Sequence, residues 1–147
     1  MISKWDDRFI GMAYLVASWS KDPSTKCGAV IVDPKKRLVS MGFNGFPRGT
    51  SDDEYYYNNR EEKYRRVIHA EKNAILFAKQ DLTGCTLYVI PMPPCSQCAG
   101  MIIQSGITRV VTVEPSLEHR QRWGADMLST QQMFNETGVQ MDYYESL

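Results

Sequence analysis

The sequence predicts an α/β layered sandwich, one sheet with helices on both of its faces. Three observations carry that reading. An apolar stripe at helical spacing opens the chain, two β-branched runs follow it across a turn, and from Glu71 onward strands alternate with helical stretches. A chain of 147 residues with no internal repeat and no linker suits one domain spanning 1–147, large enough to bury a core.

Trp5, Phe9, Met12, Val16 and Trp19, spaced 4, 3, 4 and 3 apart, form one face of a first helix. Pro23 ends that region, because the residue before a proline is steered away from helical backbone. Cys27–Val32 reads as a strand, Asp33-Pro34-Lys35-Lys36 as a turn, and Arg37–Phe43 as the hairpin partner. The polar stretch from Asn44 to Arg66 is too long for an idle loop in a compact domain, and a helix is expected near Asn59–Val67. Ala74, Ile75 and Ala78 stripe a helix over Glu71–Gln80, opened by His69-x-Glu71. Thr86–Ile90 is a strand stopped by Pro91, Pro93 and Pro94, and Cys95–Ser105 is a short helix that Gly106 ends. Thr108–Glu114 is a strand, Leu117–Glu136 a helix, and Val139–Tyr144 a last strand.

Composition narrows the class. Hydrophobic content of 43% and charged content of 23% are ordinary for a globular protein. No apolar run approaches the ~20 residues that span a bilayer, so no membrane partner is expected. The opening Met1-Ile2-Ser3-Lys4-Trp5 lacks the layout of a signal peptide, and two of the four cysteines form a C-x-x-C, which suits a metal site in the cytoplasm better than a disulfide framework. Lys+Arg and Asp+Glu balance at 17 each, so there is no global basic field to recruit a nucleic acid.

His69-Ala70-Glu71 and Pro94-Cys95-Ser96-Gln97-Cys98 carry the chemistry. One imidazole and two thiols make a three-ligand zinc set that leaves a position for water, whereas a structural zinc takes a fourth Cys or His. Both halves sit at predicted helix N-termini, where free N–H groups and the helix dipole favour thiolate. Cys95 and Cys98, one turn apart, can point at one ion. Glu71 need not ligate and is placed as acid and base. Zinc lowers the pKa of its water from ~15.7 toward ~7, and a carboxylate beside it can pass the proton to a ring nitrogen and to an exocyclic amine that leaves as ammonia. H-x-E…P-C-x-x-C is the signature of zinc nucleobase deaminases. A thioredoxin-like role for Cys95 and Cys98 would leave His69 and Glu71 unexplained. Cys27 and Cys85, without metal spacing, are expected as buried core thiols.

Three blocks then align with one family. Ser20-Lys21-Asp22-Pro23-Ser24-Thr25-Lys26-Cys27-Gly28-Ala29, Gly42-Phe43-Asn44-Gly45-Phe46-Pro47-Arg48-Gly49 and the zinc motif together resemble the deoxycytidylate (dCMP) deaminases of the zinc-dependent cytidine deaminase superfamily. The likeness runs from the first helix to about Gly138. It implies a three-layer α/β/α sandwich with a five-stranded mixed sheet, and hydrolysis of dCMP to dUMP and ammonia for thymidylate synthesis. By the same resemblance His69, Cys95 and Cys98 hold Zn2+, Glu71 shuttles the proton, the Ala70 backbone holds the pyrimidine carbonyl and Asn44 the sugar 3′-hydroxyl. It further implies a homohexamer activated by dCTP, with Mg2+ accompanying the effector, and inhibited by dTTP. Lys21, Asp22, Gly42, Asn44, Gly45, Phe46, Pro47 and Arg48 match the segments that form the effector site.

Read from the residues alone, the Asn44–Gly49 loop suits a backbone that approaches a ligand and an ordinary surface turn equally well. Some family members hold a second zinc in the insert before H-x-E; this chain has no Cys or His between Gly28 and Ile68, so one zinc per subunit is expected. Tyr55, Tyr56, Tyr57, Arg65 and Arg66 are expected to brace that insert by packing. Candidates for the substrate phosphate are Ser116, His119, Arg120 and Arg122, arginine being suited to bidentate bonds, with a solvated helix face as the plain alternative. Two other functions fit the motif less fully: a deaminase acting on a tRNA base, free cytosine or a riboflavin precursor, and a non-catalytic zinc-stabilised nucleotide sensor.

Overall fold

The structure, a computed structural model, describes residues 2–145. Lys4–Ala17 forms α1, opened by a capping box in which Ser3 and Asp6 each accept the other's backbone N–H. Its buried face is Phe9, Ile10, Ala13, Val16 and Ala17. Trp19 lies beyond the helix end and, with Trp5, stays well exposed, which differs from the expected stripe: the helix stops at Ala17 and its buried side is turned toward Ile10 and Ala13.

Gly28–Val32 (β1) and Leu38–Phe43 (β2) form the expected antiparallel hairpin. The insert folds as two short helices, Glu54–Asn58 (α2) and Arg60–Arg66 (α3), where one was expected. Asp53 caps the unforeseen first one by accepting the Tyr55 N–H, and Asn59 caps the second by accepting the Glu62 N–H. Ala70–Ala78 (α4), Thr86–Ile90 (β3), Ser96–Ser105 (α5), Arg109–Thr112 (β4), Leu117–Thr137 (α6) and Gln140–Tyr143 (β5) complete the chain. Gly106 ends α5 with φ of 90°, a backbone that favours glycine. Helix α6 is interrupted at Trp123 (φ −121°, ψ 15°), beside Gly124, so the helix expected as continuous is two segments meeting at a kink.

The sheet runs β2-β1-β3-β4-β5, with β1 antiparallel to both neighbours and β3, β4 and β5 parallel. Alternation along the strands builds two cores. Val30, Val32, Tyr88, Ile90 and Val111 meet α1 on one face, while Ala29, Ile31, Leu87, Val89 and Val110 meet Ala70, Ala74, Ile102 and Phe134 of α4, α5 and α6 on the other. This is a three-layer α/β/α sandwich around a five-stranded mixed sheet.

Two glycines set how closely the helices sit. A Cβ on Gly28 would lie 2.1 Å from the Ala13 carbonyl oxygen of α1, and one on Gly42 would lie 2.5 Å from the Ala74 nitrogen of α4. Gly42 is thus a seat for a helix, whereas the sequence placed it in a ligand loop. On the α1 face, Asp6 is 1% exposed and receives both Arg109 guanidinium nitrogens (2.9 and 3.1 Å) and the Tyr88 hydroxyl (2.6 Å), tying α1 to β3 and β4.

Candidate active site

The site forms where α4 and α5 begin. His69 is the N-cap of α4 but makes no capping bond with its side chain. Its imidazole turns instead to the sulfurs at the start of α5, with Nδ1 3.3 Å from Cys98 Sγ and 3.6 Å from Cys95 Sγ. Cys95 is the N-cap of α5, its sulfur accepting the Cys98 N–H. Both halves of the motif therefore stand at helix N-termini, as their sequence context predicts. The three ligand atoms lie within 4.8 Å of one another. Zinc bonds of ~2.0–2.1 Å to nitrogen and ~2.3 Å to sulfur at a tetrahedral angle span about 3.5 Å between ligands, so this donor set has the spacing and the chemistry of a three-ligand zinc centre.

Local contacts fix that geometry. Ser40 Oγ donates to the Ala74 carbonyl (2.7 Å) and Asn73 Nδ2 to the Phe43 carbonyl (2.8 Å), pinning α4 onto β2. The Asp126 carboxylate of α6 accepts the Ser96 N–H (3.0 Å) and hydroxyl (2.5 Å), and Thr130 donates to the Pro94 carbonyl (3.1 Å). The second helix layer thus clamps the loop that carries Cys95.

Electrostatics follow from burial and contact. Burial pushes the Glu71 carboxyl, 6% exposed, above the usual carboxylate range, with its own backbone N–H and His69 pulling the other way. The Cys98 thiol donating to Cys95 Sγ brings Cys95 down to about 4, helped by His69, while Cys98 itself is held up by that bond and by burial. The hydrogen bond with Cys95 raises His69. A charge-holding sulfur beside imidazole and carboxyl is the donor environment a divalent cation takes.

An open cavity of about 1180 Å³ has His69, Ala70, Glu71 and Cys95 in its lining. Asn44 lines one wall of it, together with Asp22, which the resemblance places in the effector site. Asn44, 6% exposed, accepts the Cys27 N–H through Oδ1 (2.8 Å) and donates to the Thr25 carbonyl (2.9 Å) and Asp22 (3.3 Å). Cys27 departs from expectation: it is half-buried on the cavity wall, and burial raises its thiol to about 12, while Cys85 is the buried core thiol expected. Ser116, His119 and Arg122 line the cavity, but Arg120 does not: it pairs with Glu114 outside this cavity. Ser116 also caps α6 by accepting the His119 N–H.

Gly45, Phe46, Pro47 and Arg48 are not among the cavity-lining residues. Gly45 bridges to Ile68, Phe46 stacks on Tyr57, the Pro47 carbonyl accepts from Thr50, and the Arg48 guanidinium stands 5.7 Å from the Phe77 ring. Lys21 is 69% exposed and pairs with Asp52. Sequence reasoning passed over Arg60, Lys63, Tyr64 and Asp126, all on the cavity wall. Lys63 and Asp126 meet partners distant in sequence, Asp22 and Ser96, while Arg60 and Tyr64 bond each other four residues apart and carried no motif to mark them.

Residues 3–114 match the family described as the cytidine and deoxycytidylate deaminase zinc-binding region. The chain belongs to that family. It is 50% identical over 143 residues to an uncharacterized deaminase in the luxG 3′ region of Aliivibrio fischeri, a match covering 97% of this chain and 95% of that one. It is 37% identical over 142 residues to the human deoxycytidylate deaminase, covering 92% of this chain and 77% of that one. The dCMP deaminase of cyanophage S-TIM5, solved in complex with dCMP and dUMP, superimposes with a TM-score of 0.74 at 23% identity, covering 98% of this chain and 99% of that one, and so shares the deaminase fold.

Proposed function

We propose that this chain is a zinc-dependent hydrolase that deaminates dCMP to dUMP and ammonia, supplying dUMP for dTMP synthesis in the cytoplasm. The observation that carries the reading is Glu71, buried at the head of α4 beside the His69, Cys95 and Cys98 triangle, in a cavity of nucleotide size. The relatives named deoxycytidylate deaminase support the choice of dCMP.

Zinc held by His69, Cys95 and Cys98 would supply the Lewis acidity that activates water at neutral pH. Glu71 moves the protons. It takes one from the attacking water and delivers it to pyrimidine N3. It then moves that water's second proton, now on the C4 hydroxyl, to the C4 amine, so that the C4–N bond breaks, ammonia leaves and C4 becomes the carbonyl carbon of dUMP. The raised affinity of its carboxyl for a proton, set by burial, suits a group that must both accept and release one. The Ala70 backbone holds the pyrimidine carbonyl, Asn44 the 3′-hydroxyl, and Arg122, with His119 and Ser116 beside it, the 5′-phosphate. Arg120 is left out of this set because its partner is Glu114.

The reading extends, on the family resemblance, to activation by dCTP with Mg2+, inhibition by dTTP and a homohexamer. Lys21 and Arg48 are exposed cations, one next to Asp22 and the other four residues after Asn44 in sequence, and Trp19, Met41 and Phe43 leave apolar surface at the β2 edge of the sheet for a second copy. Gly42 is seated under α4, where an added Cβ would meet the Ala74 nitrogen, so in this reading its part in the loop is to bring that helix close.

Ultraviolet-monitored turnover of dCMP, deoxycytidine, CMP and cytosine by the zinc-loaded protein, with and without dCTP and Mg2+, tests the reading. It expects dCMP to be the best substrate and dCTP to accelerate it; preference for cytosine or deoxycytidine would overturn the substrate assignment.

A further inference from the structure

Helices α2 and α3 are the least embedded part of the fold. Among the described helices and strands they pack only on each other. Yet Tyr57, Asn58, Arg60, Lys63 and Tyr64 from this segment form one wall of the cavity that contains His69 and Glu71.

Few contacts hold the segment there. The Phe46 and Tyr57 rings stack 4.1 Å apart, and the Gly45–Ile68 bridge fixes the exit from α3. The Lys21–Asp52 pair is 69% and 47% exposed, so water screens it. The buried tether is Lys63, whose Nζ lies 2.9 Å from Asp22 Oδ1, with side chains only 14% and 4% exposed.

Asp22 has no freedom to follow Lys63. Oδ1 also accepts the Ser24 and Thr25 N–H groups (2.8 and 3.3 Å), and Oδ2 accepts from Asn44 Nδ2 (3.3 Å). Asn44 is bonded in turn to Cys27 and Thr25 at the entry to β1. A lysine on the loosely embedded segment thus reaches a rigid cavity-wall amide through a single shared carboxylate.

We propose that Lys63 is a positioning residue: its ion pair with Asp22, the carboxylate bonded to Asn44 in the wall beneath, holds α2–α3 as a cap over the cavity. Removing the ammonium cuts the buried ion pair that ties α2–α3 to the wall and releases the cap, while Asp22, still held by Ser24, Thr25 and Asn44, is left a buried carboxylate without its cation. The cap's contribution is to keep solvent from the cavity while a ligand is bound. The kinetic half of this inference rests on the dCMP reading; the structural half does not.

Hydrogen exchange and steady-state kinetics test it together. In the wild type, amides of residues 55–66 exchange at least tenfold faster than those of α4, and saturating dUMP slows them at least tenfold. Lys63→Met accelerates the same amides at least tenfold without nucleotide, leaves exchange in the sheet and zinc content unchanged, and raises KM for dCMP at least tenfold with kcat within threefold. Lys63→Arg restores both. A lysine that merely stabilised the fold would lower the melting temperature and leave KM alone, which would overturn the assignment. So would wild-type exchange over 55–66 in Lys63→Met. Should that variant not fold, the wild-type comparison decides: no protection of 55–66 by dUMP refutes the cap. A wild type that turns over no dCMP would defeat the function reading, while the nucleotide-free exchange comparison would still judge the cap.

Discussion

Replacing Gly42 by alanine moves the helix that carries Glu71. The added Cβ would sit 2.5 Å from the Ala74 nitrogen and 2.6 Å from the Ala70 carbonyl oxygen, where ordinary contact begins at 3.4 Å. Those neighbours are backbone and cannot turn aside, so α4 must lift from β2 by about 0.9 Å or β2 must bend. Lifting stretches the Ser40–Ala74 and Asn73–Phe43 hydrogen bonds that hold the helix down. Overpacking costs about 1–3 kcal/mol and two strained hydrogen bonds add about 1 kcal/mol each at most, for a loss of roughly 2–4 kcal/mol. The consequence for the site is larger. Metal ligation tolerates displacements of ~0.2 Å, and a misplacement near 1 Å costs on the order of 10²-fold in rate. Urea denaturation, zinc stoichiometry and kcat/KM for dCMP measure these effects, with Gly100→Ala as the control because no atom lies within 4 Å of its added Cβ. Gly42→Ala behaving like Gly100→Ala in all three would refute the close-packing argument.

Other perturbations separate the remaining roles. Burial alone would raise the Asp6 carboxyl, but hydrogen bonds from Arg109, Tyr88 and Ser3 bring it down to about 2. A depressed folded-state value means the stabilisation is complete above the unfolded value near 3.8 and is lost as pH falls toward 2. Asp6→Asn should therefore cost about 2 kcal/mol at pH 7 and little at pH 2; a pH-independent loss in chemical denaturation would contradict this. Asp126→Ala frees the Ser96 end of α5 and should weaken zinc binding roughly 10–100-fold in a chelator competition, with unchanged affinity counting against the clamp. Arg122→Ala should raise KM for dCMP about tenfold with no effect on deoxycytidine, as expected when one charge-assisted phosphate contact is lost. Arg120→Ala, paired with Glu114 outside the cavity, should stay near wild type for both; equal effects from the two arginines would refute the placement.

Much of this was legible in the chain because it is local. Thr86–Ile90 is a strand with its expected bounds, Gly106 ends α5, and His69 and Cys95 stand at the N-terminal ends of the helices that the motif spacing requires. What the sequence concealed depends on contacts between distant residues. Lys63 meets Asp22 across 41 positions and Ser96 meets Asp126 across 30, and no periodicity reports either pair. Gly42 and Gly45 look alike as loop glycines, but α4 lies on the first alone. Arg120 and Arg122 are neighbours in a charged run, and the turn of α6 alone decides that the second lines the cavity. Trp19 continues the stripe of α1 in sequence, yet the helix has ended before it.

The central claim is that Glu71 moves the proton in a zinc-assisted deamination of dCMP. Turnover of dCMP by wild type and Glu71→Gln, each with zinc measured per chain, tests it most directly. The account predicts ammonia release by the wild type, and for Glu71→Gln a folded protein with one zinc and a rate at least about 10²-fold lower, the usual share of general acid–base catalysis. Undiminished turnover by Glu71→Gln, or a zinc-loaded wild type inert toward dCMP, would contradict it.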